Sequence, residues 1–322
     1  MMDSTAGALS GKRILVTGAS GMIGAHLVRR LVKLGNKPFV LLRGSNEIRL
    51  HEVMSQITRI SGDLSDPESI GQAIHTVSPE IVYHLASTYF NPPTLPARSH
   101  VQVNLVGTQV IFESLKDKPE VKIIYSGSAA VYRQGSGLRE TALLHPTSLY
   151  GASKAACSAF AQAYAHCYGM SICELRFFTP FGPWERPGRL IPYIILKILS
   201  GEEIEIGEGS QQRDFLYIDD AIDALVLAGT KSLAPGVVLN VSSGVGRSIR
   251  SVAEAIINIM EQPARLKIGA RPTRPDEIWE ISGDYTLAQN TLGWSPRIDF
   301  QEGLRRTITW WADNKRVAPQ LS

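Results

Sequence analysis

Cysteine is scarce in this sequence, with three residues in 322. The number is odd, and Cys157, Cys167 and Cys173 show no C-x-x-C spacing. This usage favours reduced, packed thiols in a cytoplasm over a disulfide framework. It predicts neither a metal centre nor a cysteine nucleophile.

A charge excess and a long apolar run are also lacking. Charged residues make up 20% of the chain and the formal net charge is +3, so no surface for nucleic acid or membrane is indicated. The longest apolar stretch, at residues 190–199, contains Pro192 and Lys197 and is too short to span a bilayer. Residues 1–9 lack the basic start and apolar centre of a signal peptide. Composition and length therefore predict a soluble cytoplasmic protein with a large core, in one big or two modest domains.

Short apolar runs alternate with helical patterns along the first half of the chain. The predicted strands are residues 14–17, 39–42, 56–60, 81–85, 121–126 and 171–177. Such an alternation is typical of a parallel sheet with helices on both faces. The fold class predicted is α/β, a doubly wound parallel sheet.

A glycine-rich turn follows the first predicted strand directly. Gly18, Gly21 and Gly24 have the spacing G-x-x-G-x-x-G, and an apolar helical pattern begins beside them. Glycine permits a tight turn and close backbone approach, while a helix N-terminus offers free N–H groups to a pyrophosphate. The order of strand, glycine turn and helix predicts a dinucleotide site of the Rossmann type. The alternative is that the glycines only close the turn.

Tyr150 and Lys154 stand four residues apart in Y-G-A-S-K, a spacing that places both side chains on one helix face. A phenol keeps its proton at neutral pH, so alone it is a poor acid or base. A fixed ammonium one turn away stabilises the phenolate. The pair can then exchange a proton with a sugar or alcohol oxygen while a hydride moves at the same carbon. A solvated helix face is the alternative for so short a motif.

These motifs together resemble the extended short-chain dehydrogenase/reductase family, in its nucleotide-sugar epimerase/reductase branch. Further matches follow in the family's order, and the resemblance covers roughly residues 12 to 312. They are G-D-L at 62–64, Y-H-L-A-S at 83–87, Asn104 with Gly107-Thr108, Y-S-G-S-A-A-V-Y at 125–132, L-R-F-F-T-P-F-G-P at 175–183, R-D-F at 213–215 and L-G-W at 292–294.

The resemblance implies a division of labour along the chain. A dinucleotide-binding domain at 11–182, with 213–245 returning to it, is expected beside a smaller C-terminal α/β lid. That lid, formed by 183–212 and 246–322, would bind the nucleotide sugar. Family members also pair two helices with their counterparts in a second subunit, so a homodimer is expected through the helix that begins at Tyr150 and the helix around residues 104–115. Close packing within one subunit is the alternative.

The resemblance also assigns the reacting groups. Tyr150 would exchange the proton, Lys154 would hold the nicotinamide ribose, and Ser128 would bind the same substrate oxygen as Tyr150. Ser126 competes with Ser128, which is preferred because it directly precedes A-A-V-Y. Asn104 is a supporting candidate, with an ordinary helix asparagine as the alternative.

Cofactor contacts are expected from the ends of several strands. The residues implied are Gly18, Ser20, Gly21, Met22, Ile23, Gly24, Arg43, Asp63, Leu64, Leu85, Ala86, Ser87, Tyr150, Lys154 and Phe177. Relatives that prefer NAD usually carry an aspartate at the end of the second strand, about 20 residues beyond the glycine turn. Here Leu42 occupies that position and Arg43 follows. A guanidinium can bind the 2′-phosphate of NADP(H), so NADP is the predicted cofactor and NAD is the alternative. For Arg43 itself, the alternative is an exposed surface arginine that binds no ligand.

A nucleoside-diphosphate sugar is the expected substrate. The implied contacts are Thr88, Ser128, Thr179, Leu190, Arg213 and Arg274. Two arginine forks converging on a diphosphate match the geometry of phosphate oxygens. Thr179 departs from the asparagine often found there in the family.

Three functions remain open from the sequence. Ala129 and Ala130 stand where 4,6-dehydratases carry an Asp-Glu pair, and alanine performs no acid/base chemistry. The first function is an NADPH-dependent 4-ketoreductase acting on a nucleotide-linked keto-deoxyhexose. The second is a nucleotide-sugar 4-epimerase with tightly bound NAD, because residues 179–187 resemble uronate 4-epimerases. The third is a non-catalytic dinucleotide sensor.

Overall fold

Fourteen strands are present in a computed structural model, which describes residues 7–44, 47–88, 95–273 and 277–321. They are β1 (Ile14–Thr17), β2 (Phe39–Leu42), β3 (Thr58–Ser61), β4 (Ile81–His84), β5 (Lys122–Ser128), β6 (Gly135–Leu138), β7 (Ile172–Phe177), β8 (Thr179–Phe181), β9 (Ile204–Glu205), β10 (Gln212–Tyr217), β11 (Val237–Val241), β12 (Gly246–Ser248), β13 (Leu266–Lys267) and β14 (Glu280–Gly283). Seven of them form the main sheet in the order β3-β2-β1-β4-β5-β7-β11. Every neighbouring pair in it is parallel. The predicted doubly wound Rossmann-type sheet is confirmed.

The helices connect these strands and cover both faces of the sheet. They are α1 (Met22–Lys33), α2 (Pro67–Val77), α3 (Ala97–His100), α4 (Gly107–Leu115), α5 (Leu149–Tyr168), α6 (Leu190–Leu199), α7 (Ile218–Thr230), α8 (Ile249–Met260), α9 (Thr286–Leu292), α10 (Phe300–Asn314) and α11 (Ala318–Leu321). A π-helical segment, Val101–Val106, joins α3 to α4, and three-residue-per-turn segments lie at His51–Gln56, Ala129–Val131 and Lys315–Val317. Because helices shield both faces, β1, β4 and β7 are buried along their whole length.

Local sequence signals set the ends of the helices. Asp66 caps α2 by accepting hydrogen bonds from two backbone N–H groups, and Pro67 occupies its first turn. The Ser148 side chain caps α5, and the helix ends at Gly169 with a φ of 65°. Helix α5 therefore carries both Tyr150 and Lys154 in its first turns.

A second, five-stranded sheet lies at the carboxyl ends of the main strands. Its order is β12-β10-β14-β6, with β8 beside β10. The pair β10–β12 is antiparallel, and β14 runs parallel to both β10 and β6. This sheet draws strands from the middle and the end of the chain, so its position depends on long-range pairing.

The chain passes between the two sheets more often than the predicted domain boundaries imply. Strand β6 belongs to the segment assigned to the first domain, yet it pairs with β14. The segment 213–245 divides, since β10 lies in the small sheet while β11 pairs with β7 in the main one. One apolar cluster includes Leu27 of α1, Ile194 of α6 and Trp311 of α10, so both halves share a core.

The described residues contain no helix long and apolar enough to cross a membrane. All three cysteines are free, with Cys157 and Cys173 buried and Cys167 exposed.

Candidate functional site

A cleft of about 1500 Å³ lies between the two sheets, at the carboxyl ends of the main strands. Open α/β sheets bind ligands there, where the strand order reverses. Almost all of the predicted site residues line it. They are Gly18, Ser20, Gly21, Met22, Ile23, Gly24, Arg43, Asp63, Leu64, Leu85, Ala86, Ser87, Thr88, Ser128, Tyr150, Phe177, Thr179, Leu190 and Arg213. Arg274 lies outside the described residues.

The glycine turn forms one end of this cleft. Gly18 has a φ of 71°, and a Cβ on it would lie 2.6 Å from the Ala86 backbone nitrogen. A Cβ on Gly24 would lie 2.1 Å from the Gly18 carbonyl oxygen. Gly21 is the N-cap of α1, which has no side-chain cap and no acidic residue in its first turn. The free N–H groups of this helix end therefore suit a pyrophosphate, and the turn fits a dinucleotide.

Ser128 and Tyr150 both line the cleft. Ser128 ends β5, and its Oγ accepts a hydrogen bond from the Ala130 backbone N–H at 3.2 Å. Tyr150 enters from the first turn of α5. The competing Ser126 also lines the cleft, and its carbonyl oxygen accepts a hydrogen bond from Lys154. Two hydroxyl groups from different elements thus face one space.

Lys154 is placed behind this pair and only 2% exposed. Its Nζ donates to the Ser126 carbonyl oxygen at 2.8 Å and lies 4.8 Å from the centroid of the Tyr125 ring. Lys154 is absent from the residues that line the cleft. Its predicted contact with a ribose requires a ligand that reaches between Ser126 and α5.

Asn104 also lies behind the cleft, in the π-helical segment. Its Oδ1 accepts from the Thr88 backbone N–H at 2.7 Å, and its Nδ2 donates to the Thr88 and Ser153 hydroxyls, both at 2.8 Å. π-Helical segments are frequent at functional sites. Asn104 thus fixes Thr88, which lines the cleft, and its predicted supporting role remains a prediction.

His84 is a buried residue for which the sequence suggested no role. Its Nδ1 lies 2.7 Å from the Thr17 Oγ1, and its Nε2 lies 2.9 Å from the Thr108 Oγ1. Because Thr17 Oγ1 accepts from the Ala86 N–H, its own hydrogen is available to His84 Nδ1. Burial, aided by the Lys154 charge, lowers the pKa of His84 to about 3. A neutral His84 therefore ties β1, β4 and α4 together beneath the cleft.

Arginine is the dominant charged residue of the cleft wall. The described lining residues include Arg43, Arg49, Arg98, Arg186, Arg189, Arg213 and Arg271, against the acidic Asp63, Glu185 and Glu277. Only Arg43 and Arg213 in this set were identified from the sequence, because the others stand in no recognisable motif. The excess of guanidinium groups favours a ligand with several negative charges.

Two of the predicted arginines have acidic neighbours. Arg213 Nη2 bonds Glu277 Oε1 at 2.6 Å, and its Nη1 donates to the Ile278 carbonyl oxygen. Arg43 is 76% exposed, with its Nε 3.8 Å from Asp63 Oδ2. Arg43 therefore stands at the rim of the cleft, where its charge is partly balanced by Asp63.

Arg49 links the two ends of the cleft. Its Nε donates to the Trp184 carbonyl oxygen at 3.0 Å, and its Nη1 donates to the Ser20 carbonyl oxygen at 3.2 Å. Trp184 has a φ of 66°, which is uncommon for a bulky residue. The guanidinium thus holds this strained segment against the glycine turn.

Glu185 follows Trp184 and is 6% exposed. Its Oε1 accepts a hydrogen bond from Arg189 Nε at 3.3 Å, and no described group bonds its buried Oε2. Burial raises the pKa of Glu185 to about 7, although Arg189 opposes the shift. The cleft wall thus contains a carboxyl group that changes charge near neutral pH.

Comparison with known proteins agrees with this arrangement. Residues 15–307 match the model of the family described as GDP-mannose 4,6 dehydratase. UDP-glucuronate 4-epimerase 4 of Arabidopsis thaliana is 29% identical, over 94% of this chain and 76% of the relative. The solved epimerase Mth375 of Methanothermobacter thermautotrophicus superposes with a TM-score of 0.90 at 27% identity, covering 99% of this chain and 97% of that one. The UDP-glucose 4-epimerase of Thermus thermophilus, solved with NAD, gives 0.84 at 26% identity, with 93% and 99% covered.

Proposed function

We propose that this chain, which belongs to the GDP-mannose 4,6 dehydratase family of nucleotide-sugar enzymes, is a nucleotide-sugar 4-epimerase that retains NAD. The observation that carries the proposal is that Ser128 and Tyr150 line one cleft, together with the glycine turn and an arginine-rich wall. The volume of about 1500 Å³ is large for a single small-molecule pocket and suits two ligands side by side.

The chain itself supplies binding and proton movement. A nicotinamide cofactor would supply the hydride chemistry, held by the glycine turn of α1 and by Asp63, Leu64 and Phe177. Tyr150 takes the proton from the C4 hydroxyl and later returns it, while the Ser128 hydroxyl holds the same oxygen. Lys154 places a positive charge one helical turn beyond Tyr150 on α5. Arg213 and its neighbouring arginines hold the diphosphate.

Elimination of water is disfavoured by the residues after Ser128. A 4,6-dehydratase needs groups that remove and add protons at neighbouring carbons. Ala129 and Ala130 fill these positions, directly before the buried Val131 and Tyr132. No described acidic residue replaces them on this segment, which favours oxidation and reduction of one carbon over elimination.

The relatives include nucleotide-sugar epimerases and 4,6-dehydratases of similar identity, so the choice of epimerisation rests on the site residues. The named relatives above are epimerases, and one of them is solved with NAD. UDP-glucuronate is the first substrate to test, since residues 179–187 also resemble uronate 4-epimerases. One observation favours the NADPH-dependent 4-ketoreductase as the second candidate: Arg43 lines the cofactor end of the cleft where a 2′-phosphate would lie.

Identification of the retained nucleotide separates the candidates. The purified protein is denatured, its nucleotide is identified by mass spectrometry, and UDP-glucuronate or UDP-glucose is then incubated with native protein without added cofactor. Retained NAD⁺ and formation of the C4 epimer, absent in Tyr150→Phe, support the epimerase. Empty protein that oxidises NADPH with a nucleotide-linked 4-keto-6-deoxyhexose supports the reductase instead. Dinucleotide binding with no turnover of any of these sugars overturns both.

A further inference from the structure

We propose that Tyr125 is a positioning residue, whose aromatic face holds the Lys154 ammonium at its working place. The inference rests on the proposed function, because it explains how the charge behind Tyr150 is kept fixed. Tyr125 lies on β5, one residue before Ser126 and three before Ser128.

A buried ammonium requires compensation for the water it loses. Lys154 is 2% exposed, and its Nζ donates a hydrogen bond of 2.8 Å to the Ser126 carbonyl oxygen. One carbonyl satisfies one of the three N–H donors of the ammonium. The ring of Tyr125, 4.8 Å from Nζ, supplies the negative face of its π-system as a second stabilising surface.

The ring is itself held firmly. Tyr125 is paired in register with His84 on β4 and with Glu174 on β7, so the centre of the sheet fixes its backbone. Its ring lies 5.6 Å from the His84 ring and 6.4 Å from the Phe112 ring. A buried side chain packed against two other rings has few alternative rotamers, so its aromatic face keeps its place beside Lys154.

The neighbouring groups leave Lys154 as the positive charge of this cluster. His84 stays neutral, because burial and the Lys154 charge lower its pKa to about 3. Burial, with Cys157 and Glu174 as further causes, raises the pKa of Tyr125 well above its usual range. Burial also raises the pKa of the Cys157 thiol. The contact is thus between a cation and a neutral ring, and the ring, rather than the Tyr125 hydroxyl, is the part that acts.

The test compares variants that keep or remove the ring. Tyr125→Phe keeps the aromatic face and should match wild type in NADH affinity and kcat to within about twofold. Tyr125→Leu and Tyr125→Met remove it and should lower NADH affinity and kcat by about tenfold, the scale of a desolvated cation–π contact. They should also move the rising limb of the pH profile for alcohol oxidation to higher pH. Circular dichroism identifies the variants that fold. If Tyr125→Leu does not fold, Tyr125→Met provides the measurement.

A double-mutant cycle distinguishes positioning from packing. In a Lys154→Met background, Tyr125→Leu should have little further effect on NADH affinity, because the charge it positions is gone. NADH titration, on protein freed of any retained nucleotide, needs no sugar substrate, so this cycle remains readable if the epimerase proposal fails. The inference is overturned if Tyr125→Leu keeps wild-type affinity, if Tyr125→Phe loses as much as Leu, or if the loss persists undiminished without Lys154.

Discussion

Arg213 and Glu277 form a largely buried ion pair in the wall of the cleft, Nη2 to Oε1 at 2.6 Å. The two residues come from β10 and from the segment before β14, whose strands are paired in parallel. A guanidinium with an acidic partner keeps a fixed orientation, and its remaining N–H groups are directed by that partner. This pair fixes Arg213 in the wall of the cleft, where we propose that it binds an anionic group of the substrate.

Arg213→Met should weaken binding of UDP by about tenfold or more, because charge-assisted hydrogen bonds to phosphate are lost. Uridine lacks the phosphates, so its binding should change little. Isothermal titration of both ligands measures the contrast. Since the single change leaves the Glu277 carboxylate without its partner, the double variant Arg213→Met/Glu277→Gln is the stability control. Unchanged UDP affinity in both variants would show that Arg213 does not contact the diphosphate.

Tyr150→Phe should lower kcat by about 100-fold or more, the usual contribution of a positioned acid or base. The ring remains, so the free energy of unfolding should stay within about 0.5 kcal/mol of wild type. Lys154→Met should be as severe and should also weaken cofactor binding. Tyr168→Phe, on the same helix but outside the cleft, is the matched control. A kcat near that of wild type in Tyr150→Phe would reject the assigned proton path.

Arg43→Ala should lower the affinity for NADPH by about tenfold. This is the lower end of the effect expected for charge-assisted hydrogen bonds, because the Arg43 side chain is 76% exposed. NADH binding should change much less. Both cofactors are titrated against wild type, Arg43→Ala and Arg305→Ala. Arg305 is an exposed arginine outside the cleft, so its variant controls for the loss of one positive charge. A wild type that prefers NADH, or an equal loss for both cofactors, would remove the main support for the reductase.

Phe160→Asp should weaken a dimer formed through α4 and α5. Phe160 is 40% exposed, and its ring lies 6.4 Å from Tyr164, which in turn lies 5.4 Å from Tyr168. Phe160 and Tyr168 are exposed on α5, while Tyr164 between them is buried. Sedimentation at micromolar concentration should show dimer for wild type and more monomer for the variant. Leu287→Asp, at a site 42% exposed on α9, controls for added charge. Monomeric wild type would contradict the predicted homodimer.

Glu185→Gln should change how stability depends on pH. The pKa of Glu185 rises from 4.5 to about 7 in the folded protein, so the folded state holds the proton more tightly. Its stabilising effect is complete below pH 4.5 and is lost as the pH rises to about 7. Between pH 4.5 and pH 8, the free energy of unfolding of wild type should therefore fall by up to about 3 kcal/mol relative to that of the variant.

Urea unfolding of both proteins at pH 5 and pH 8 measures this difference. His26 has a pKa lowered to about 4 by burial, but it is present in both proteins and its effect cancels. If wild type and the variant differ in free energy of unfolding by the same amount at both pH values, Glu185 does not titrate in this interval.

Local signals in the sequence determined much of the fold. The glycine turn, the Ser148 cap and the Tyr150–Lys154 spacing act over a few residues, so they were readable without tertiary contacts. The apolar runs also predicted six of the seven strands of the main sheet, because helices cover both faces of a parallel sheet. The segment 125–132 identified Ser128 as part of the site through its resemblance to a family motif.

Tertiary structure decided the relations that span long distances in the chain. Arg49 and Trp184 are 135 residues apart and Arg213 and Glu277 are 64 apart, and only strand pairing and packing bring them together. The division between the sheets was equally hidden, since β6 and β14 are short and lack a distinctive pattern. The spacing predicted that Lys154 lies near Tyr150 on one helix, and both residues are in α5. The burial of Lys154 against Tyr125 followed from the packing of α5 on β5, because desolvation is a property of the folded core and not of a motif.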